Sequence, residues 1–331
     1  MAAITSTPAI DAVITWVSGD DQVLAAKRQA CLSGVTAHPE ASRSTRFNSI
    51  GEIEYCIASI IRFAPFVRTL FVVTDAQVPE VLERGLGRNA PWAHKVRIVD
   101  HREIFSGFER YLPTFSSCPI ETMLYRIPGL SEHFVSFNDD FFLMRAVNAS
   151  DFFVDGKPVL RGGWRPQQWE LQAIQLLNLG HWNLVDLEKP TFRRAQAKAA
   201  SLLGWKFRYF HSEHAPRPLR RSTFERLFER QPDWLRQNVS HRLRHVSQFF
   251  APGLANHLEI LEKTAVVIRE LALLYAEPAE IPGARLKRAL SSARQDGRIL
   301  FGCLQSLDEA SDETRQFVIS WLDSVVGRLP P

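Results

Sequence analysis

The sequence has few cysteines and little excess of charge. Its four cysteines (Cys31, Cys56, Cys118 and Cys303) are scattered and form no Cys-x-x-Cys pair, which argues against a structural zinc site or a disulfide framework. The formal net charge of +4 at pH 7 is too small to indicate nucleic-acid binding, and no nucleic-acid recognition motif is present. This mild basic excess suits a protein that handles anionic substrates such as nucleotide sugars, or one that touches an anionic membrane surface.

Long apolar runs are also missing. The N-terminus has neither a basic region nor an apolar core, so no signal peptide is predicted. The most apolar late segment, residues 264–276, is interrupted by Arg269 and Glu270, and no segment reaches the length of a membrane span. We therefore expect a cytoplasmic protein, either soluble or peripheral at the inner membrane face. Basic residues between 217 and 230 could hold it there, although a solvated helix face explains them equally well.

Short apolar strands alternate with helical patterns over the first half of the chain. Residues 10–17, 68–74 and 96–99 are predicted to be strands, and a fourth strand begins at His133. Strand and helix alternate at the spacing of βαβ units, which indicates an α/β protein with a mostly parallel sheet.

The pattern changes after residue 150. Residues 154–160 predict a hairpin around Asp155 and Gly156, and residues 192–293 read as helical and rich in arginine. The longest amphipathic helical pattern covers residues 256–276. A late strand is predicted over residues 298–304.

We therefore expect two structural parts. Residues 1–160 together with about 295–331 would form an α/β core, and residues 161–294 would form a mainly helical cap over the sheet. A final helix is predicted over residues 312–326 and belongs to the core in this division.

Asn138, Asp139 and Asp140 end the fourth strand and are the first candidate site. Two adjacent carboxylates repel each other unless a cation lies beside them, and ligands of open α/β sheets bind at this edge. Mg²⁺ takes oxygen ligands and brings substrate phosphates with it. The alternative is that Asn138 and Asp139 form a turn while Asp140 caps a helix, and this segment alone leaves both interpretations open.

Two basic segments are candidates for phosphate binding. Residues 210–221 combine His211 and His214 with arginines, and residues 240–245 form a second basic cluster. A histidine beside arginines could deprotonate a hydroxyl while the guanidinium groups hold a phosphate. The alternative is a solvated basic face, which is the more common environment for such residues.

A third candidate is the hydroxyl-rich loop of residues 112–117, followed by Glu121 and Arg126. It is either a loop that binds sugar hydroxyls, with a cation for phosphate, or an ordinary loop next to a surface helix. Residues 15–20, at the end of the first strand, form a small-residue turn that a phosphate could approach, or an ordinary strand-to-helix turn.

Together these segments resemble the Stealth family of hexose-1-phosphate transferases. That family includes bacterial capsular polysaccharide phosphotransferases and the catalytic subunit of the GlcNAc-1-phosphotransferase for lysosomal enzymes. Residues 11–19 (DAVITWVSG) are similar to its first conserved block, and residues 46–140 are similar to its long second block. His214-Ala215-Pro216 followed by Arg244-His245 matches the third block, and residues 301–304 match the fourth weakly.

The resemblance implies a fold, an activity and a cofactor. The fold is a Rossmann-like, glycosyltransferase-type core with a helical cap. The activity is transfer of a sugar-1-phosphate from a UDP-sugar to the hydroxyl of an acceptor sugar, with Mg²⁺ or Mn²⁺ and release of UMP. The product would be a phosphodiester-linked, capsule-like polysaccharide.

The resemblance also maps roles onto individual residues. The family's catalytic histidine corresponds to His214, its phosphate-binding arginine to Arg244, and its acidic strand end to Asp139 and Asp140. Asp11 is a further candidate metal ligand. The candidate donor- or phosphate-binding residues are Asp11, Trp16, Gly19, Arg126, Arg217 and Arg242.

One departure from the family and two alternative functions remain open. The fourth block usually continues Cys-Ile-Asn-Asp, whereas Cys303-Leu304 is followed here by Gln305 and Ser306, so the task of that Asn or Asp is altered or has moved to Asp308. The alternative enzyme is a metal-dependent glycosyltransferase that releases UDP. The alternative outside catalysis is a polysaccharide-binding or assembly protein.

Overall fold

Within residues 8–33, 38–41, 48, 50–167, 186 and 188–330, which the computed structural model describes, five strands form a central sheet. In chain order they are β1 (Ile10–Thr15), β2 (Val67–Thr74), β3 (Val96–Asp100), β4 (His133–Asn138) and β9 (Arg217–Arg220). Across the sheet they run β3-β2-β1-β4-β9, with β9 alone antiparallel to its neighbour within these residues. The order 3-2-1-4 is that of Rossmann-like folds, so the predicted Rossmann-like, mostly parallel sheet is confirmed.

The carboxyl ends of β1 and β4 meet at one edge of this sheet. The two strands are in register from the pair Ile10 and His133 to the pair Thr15 and Asn138. Apolar side chains on both faces of β1 are buried, as expected for a strand covered by helices on both sides. The register therefore fixes where the polar residues after each strand lie relative to one another.

Helices flank the sheet. They are α1 (Gln22–Leu32), α2 (Glu52–Phe63), α3 (Glu80–Gly87), α4 (His101–Ile104), α5 (Ser117–Met123), α6 (Phe192–Leu202), α7 (Arg221–Arg230), α8 (Pro232–Val239), α9 (Ala251–Leu261), α10 (Gly283–Gln295) and α11 (Asp312–Val325). Asp21 caps α1 by accepting a hydrogen bond from the Leu24 backbone N–H at 2.7 Å. Among the described helices, none combines the length and apolar character needed to cross a bilayer.

Two smaller sheets complete the described residues. Their strands are β5 (Phe141–Leu143), β6 (Phe153–Val154), β7 (Lys157–Pro166), β8 (Arg208–Ser212), β10 (Val266–Ile268), β11 (Leu273–Ala276) and β12 (Phe301–Leu304). One sheet has the order β10-β7-β6 with β8 also on β7, and the other has the order β11-β12-β5. The predicted hairpin is confirmed, because Asp155 and Gly156 turn between β6 and β7 at φ values of 51° and 73°.

The long amphipathic helix predicted over residues 256–276 is wrong. Helix α9 ends at Leu261, Lys263 has a positive φ of 60°, and the Thr264 backbone N–H closes the turn on the Glu259 carbonyl at 2.9 Å. The β-branched run that follows forms β10 and continues to β11. Residues 161–294, predicted as a helical cap, thus contain α6 to α10 but also supply β9 to the central sheet, and the two-part division stays a prediction.

The predicted late strand is β12, and it joins β5 and β11 instead of the central sheet. It pairs antiparallel with β5, so that Cys303 lies opposite Phe141. The Leu304 backbone N–H donates to the Asp140 carbonyl at 3.3 Å. The fourth sequence block therefore lies directly beside the acidic end of β4.

Asp11 lies at the wrong end of β1 for the predicted metal and donor site. Its side chain is fully buried and accepts two hydrogen bonds from the Arg68 guanidinium, at 2.6 and 2.9 Å. It also accepts backbone hydrogen bonds from Thr69 and Ser131, at 3.2 and 2.7 Å. Asp11 pairs with Phe134 in the sheet, four residues before Asn138, or roughly 13 Å away at the rise of a strand. Its contacts assign Asp11 a structural role that ties β1 to β2 and to the loop before β4.

Asp11→Asn is expected to lower the free energy of unfolding by about 2–3 kcal/mol, because it removes the charge from a buried, fully hydrogen-bonded carboxylate. Denaturant unfolding measures this loss, and calorimetric titration should show Mg²⁺ affinity unchanged. The control is Asp296→Asn, which removes the carboxylate of an exposed pair with Arg298 and should change stability little. If Asp11→Asn had normal stability but had lost Mg²⁺ affinity, Asp11 would instead be a metal ligand.

Candidate active site

The carboxyl end of β4 presents Asp140 to a cavity. One carboxylate oxygen of Asp140 accepts a hydrogen bond from the Cys303 thiol at 3.5 Å, and the other is buried with no hydrogen-bond partner among the described residues. Burial, with a further contribution from Glu52, raises the pKa of Asp140 from 3.8 to about 6, against the effect of Cys303 and Arg217. An unpartnered oxygen on a carboxylate in this environment is a ready ligand for a cation.

Asp139 faces a different environment from Asp140. Burial raises its pKa well above the ordinary value, and the charges of Asp140 and Glu52 raise it further. Asp140 lines the cavity that also contains His214, and Asp139 is absent from the described lining of that cavity. Of the two predicted aspartates, Asp140 is therefore the one that faces the candidate site.

The cavity has a volume of about 130 Å³ and brings together residues that are distant in the sequence. The residues that line it and carry polar or charged side chains are Ser117, Glu121, Asn138, Asp140, Thr191, Arg194, His214, Arg217, Arg244, His245, Gln248 and Gln305. Four predicted site residues line this cavity, and their roles stay predictions: Asp140, His214, Arg217 and Arg244. Their proximity combines a carboxylate, a histidine and two guanidinium groups in one enclosed space.

Arg217 is held rigidly at the start of β9. Its guanidinium is buried, and it lies over the rings of Phe250 and Phe141 at 4.9 and 5.2 Å from their centroids. One terminal nitrogen is 3.2 Å from the Asn138 side-chain oxygen and 3.4 Å from the Glu121 carboxylate. Its Nε is buried without a hydrogen-bond partner among the described residues. Aromatic faces and a paired carboxylate stabilise this buried cation, which keeps a donor available for an anion.

Arg244 supplies the second guanidinium. One terminal nitrogen donates to the Ser117 hydroxyl at 3.2 Å, and its Nε is also buried and unpartnered within the described part of the chain. Burial raises the pKa of Glu121, while the charges of Arg217 and Arg244 oppose that rise. Glu121 therefore offsets part of the charge of both arginines. Two unsatisfied guanidinium donors in one cavity match the acceptor oxygens of a phosphate.

His214 is present as the neutral imidazole. Its ring lies between Phe192 and Tyr275, with centroid distances of 4.8 and 5.0 Å. Burial, reinforced by the positive charge of Arg217, lowers the pKa of His214 from 6.5 to about 4. Within the described residues no hydrogen bond engages its ring, so a nitrogen is available to accept a proton. A neutral histidine of this kind can serve as a general base at neutral pH.

The hydroxyl-rich loop of residues 112–117 borders the site, and its last residue, Ser117, lines the cavity. The Phe115 backbone N–H and the Thr114 hydroxyl donate to the Arg242 carbonyl, at 2.6 and 3.4 Å. The buried Ser116 hydroxyl donates to Gln248 at 3.0 Å. These bonds fasten the loop to the segment that carries Arg244. The hydroxyls of Thr114 and Ser116 thus dock two loops, whereas Ser117 lines the cavity, and the sugar-binding interpretation of the loop stays a prediction.

Two other predicted phosphate ligands lie outside the cavity. Arg126 donates to the carbonyls of Ile104 and Ser106, at 2.8 and 2.7 Å, and lies over the Phe108 ring. This arginine anchors a loop and is not among the described residues that line the cavity. Arg242 is exposed and donates to the Arg110 carbonyl at 3.0 Å. The sequence alone did not distinguish these two arginines from Arg217 and Arg244, which line the cavity.

A larger groove of about 1020 Å³ adjoins the cavity, and Arg244 and His245 line both. Arg242 lines the groove together with residues of α1, including Lys27 and Cys31. Trp16 and Gly19 follow β1 at the same sheet edge, and two hydrogen bonds between the Ser18 backbone and Gln77 hold their loop. Neither Trp16 nor Gly19 is among the described residues that line the two spaces, and their donor-binding role stays a prediction.

A divalent cation fits the acidic end of β4. Within the described residues, no group of three or more His, Cys, Asp or Glu side chains is arranged to hold a metal. Mg²⁺ does not need such a group, because it is commonly held by one or two carboxylates and completed by water and substrate phosphates. The orphaned oxygen of Asp140 and the repulsion between Asp140, Asp139 and Glu52 both favour bound positive charge. Mg²⁺ binding remains a prediction that these residues suit.

The sequence did not predict that Glu121 lines the cavity or that Tyr275 lies against His214. Glu121 was noted only as a neighbour of a loop, and its buried pairing with Arg217 depends on a contact across 96 positions. Tyr275 lies in a segment predicted to be helical, and the strand there places its ring against His214. Gln305 had a signal, because it replaces the family's usual residue, and it does line the cavity.

Comparison with known proteins places these residues in a family. Residues 46–159 match the family model described as Stealth protein CR2, conserved region 2. The receptor polysaccharide phosphotransferase WefC of Streptococcus oralis is 32% identical over 260 residues, which cover 72% of this chain and 74% of that protein. The chain belongs to the Stealth family. The predictions of Stealth membership and of a phosphotransferase enzyme are confirmed.

A second relative covers a smaller part of this chain, and one solved structure is only distantly similar to it. The exopolysaccharide phosphotransferase SCO6021 of Streptomyces coelicolor is 45% identical over 144 residues, 44% of this Stealth chain and 25% of that protein. The apo crystal structure of mouse xyloside xylosyltransferase 1 aligns with a TM-score of 0.39 and 11% identity, over 89% of this chain and 97% of that one. The fold class rests on the sheet topology and not on this structural likeness.

Arg217→Lys is expected to lower kcat/KM about 100-fold, because lysine keeps the charge but loses the planar donors that face the cavity. Steady-state assays of phosphotransferase activity, with thermal unfolding as a check on folding, measure this change. The matched control is Arg242→Lys, the same substitution at an exposed position outside the cavity, which should change kcat/KM less than about fivefold. Equal effects of the two substitutions would contradict the assignment of Arg217 to the site.

Proposed function

We propose that this Stealth protein transfers a sugar-1-phosphate, from a UDP-hexose or UDP-N-acetylhexosamine, to a hydroxyl of an acceptor sugar and releases UMP. The observation that carries the proposal is the cavity in which neutral His214 and the unpartnered donors of Arg217 and Arg244 meet Asp140. Phosphoryl transfer depends mainly on positioning and charge neutralisation. These side chains supply both, and the relatives are named polysaccharide phosphotransferases.

In the proposed reaction, the acceptor hydroxyl oxygen attacks the phosphorus that bears the sugar, and His214 takes the hydroxyl proton. A new oxygen–phosphorus bond forms while the bond between that phosphorus and the bridging oxygen breaks, and UMP leaves with the electron pair. The guanidinium groups of Arg217 and Arg244 stabilise the charge that develops on the phosphoryl oxygens. The anomeric carbon–oxygen bond stays intact, so the anomeric configuration is kept.

Asp140, with Asp139, is the proposed holder of Mg²⁺ or Mn²⁺. When bound there, the cation would offset the negative charge of the donor's diphosphate. Asp140 then has two tasks among the protein's own groups. It contributes a carboxylate oxygen to the cation, and its charge stabilises buried Arg217.

The product would be a phosphodiester-linked polysaccharide of the capsular or exopolysaccharide type, in keeping with the names of the relatives. A cytoplasmic protein that works at the inner membrane face suits such a product. The alternative glycosyltransferase would break the anomeric bond and release UDP. A binding or assembly protein would not need a neutral histidine in the same cavity as two guanidinium groups whose Nε donors have no partner among the described residues.

Purified protein supplied with a UDP-sugar, Mg²⁺ and an acceptor sugar is expected to release UMP. His214→Gln should lower kcat about 10²- to 10⁴-fold, as for loss of a general base, while UDP-sugar binding measured by calorimetry persists. Chromatography of the released nucleotide across a panel of UDP-sugars gives both results.

The control for this substitution is His211→Gln. His211 lies three residues earlier, accepts a hydrogen bond at Nδ1 from the Gln196 amide nitrogen at 3.1 Å, and is not among the described residues that line the cavity. Its variant should keep kcat within a few-fold of the parent protein. Release of UDP in place of UMP would refute the proposed reaction, and undiminished turnover of His214→Gln would refute the role of His214.

A further inference from the structure

An exposed tyrosine forms one wall of the space around His214. Tyr275 lies on β11, and its ring is 5.0 Å from that of His214 at an interplanar angle of 32°. Phe192, the other aromatic ring in contact with His214, is half-buried, whereas Tyr275 is 40% exposed. An aromatic ring that is partly open to solvent therefore lies against the candidate base.

Polar groups surround the hydroxyl of Tyr275. It contacts the Glu277 carboxylate and the side-chain oxygen of Gln305, the latter at 2.8 Å, and its single proton is shared between them. The Gln305 backbone N–H donates to the Ala276 carbonyl at 3.0 Å, which holds the two segments together. Gln305 also lines the cavity with Asp140 and His214. Tyr275, Glu277 and Gln305 thus form one connected polar and aromatic group, called here the Tyr275 rim.

The composition of the Tyr275 rim fits a neutral sugar. A pyranose presents a face of C–H groups that packs on an aromatic ring, and hydroxyls that bond to carboxylate and amide side chains. The carboxylate of Glu277 disfavours a phosphate or a nucleotide at this position. The guanidinium groups that suit phosphate are those of Arg217 and Arg244, which line the cavity, and Arg244 also lines the larger groove.

We propose that the Tyr275 rim is the acceptor subsite, which binds a neutral hexopyranose with its face against Tyr275 and its reacting hydroxyl toward His214. This inference rests on the proposed function for the identity of the acceptor. It also gives a task to Gln305, the position at which the chain departs from its family. The amide of Gln305 helps to hold the acceptor and Tyr275, and the cation is left to the aspartates.

The test uses a panel of neutral methyl hexopyranosides as acceptor probes. Saturation-transfer NMR on the parent protein should identify the probe that binds best, and Tyr275→Ala should weaken its binding more than tenfold. In the transfer assay the same variant should raise the KM for that probe more than tenfold and the KM for the UDP-sugar less than twofold. Tyr275→Phe keeps the ring and should raise the probe's KM only about threefold.

The matched control is Phe207→Ala, which removes an aromatic ring that is 83% exposed and far from the rim in the sequence. It should leave both KM values unchanged. An unchanged probe KM in Tyr275→Ala, or an equal rise in both KM values, would overturn the acceptor subsite. Failure of the parent protein to release UMP would refute the proposed function separately, because the NMR measurement of sugar binding does not depend on turnover.

Discussion

The buried guanidinium of Arg217 is the interaction on which the site depends. A cation removed from water is costly unless other groups compensate, and Arg217 is compensated by Glu121, by Asn138 and by the faces of aromatic rings. These partners lie on the fourth strand, on the helix before it and on segments after it. The guanidinium therefore reaches its position only when these parts of the chain have folded together. Because its partners leave Nε unsatisfied, the same arrangement is prepared for an anion before substrate arrives.

The opposing shifts of pKa in the cavity have one cause. Burial raises the pKa of Asp140 and lowers the pKa values of His214 and Arg217, since it disfavours every charged form. Burial therefore makes the ionised form of Asp140 dependent on nearby positive charge. It also leaves the histidine with an unprotonated, basic nitrogen at neutral pH. A phosphate with its metal ion brings both signs of charge at once, which suits the cavity better than a neutral ligand alone.

Local features could be predicted from the sequence, whereas contacts between residues far apart in the sequence could not. The acidic end of β4 could be predicted because an apolar run followed by polar residues is a local pattern, and the family resemblance supplied His214 and Arg244. Asp11 and Arg126 were misplaced for a shared reason: the role of each depends on partners that only the folded chain brings near. Periodicity also failed over residues 256–276, where the β-branched Val266, Val267 and Ile268 form β10 and Tyr275 follows in the strand β11.

The central claim is that the acceptor attacks phosphorus and leaves the anomeric bond intact. A UDP-sugar carrying ¹⁸O between the anomeric carbon and its phosphorus tests this directly, with mass spectrometry and ³¹P NMR of the products. The account predicts that all of the label stays in the sugar phosphodiester and that the released UMP is unlabelled. Label in released UDP, with none in the transferred sugar, would mean that the anomeric bond breaks and would contradict the account.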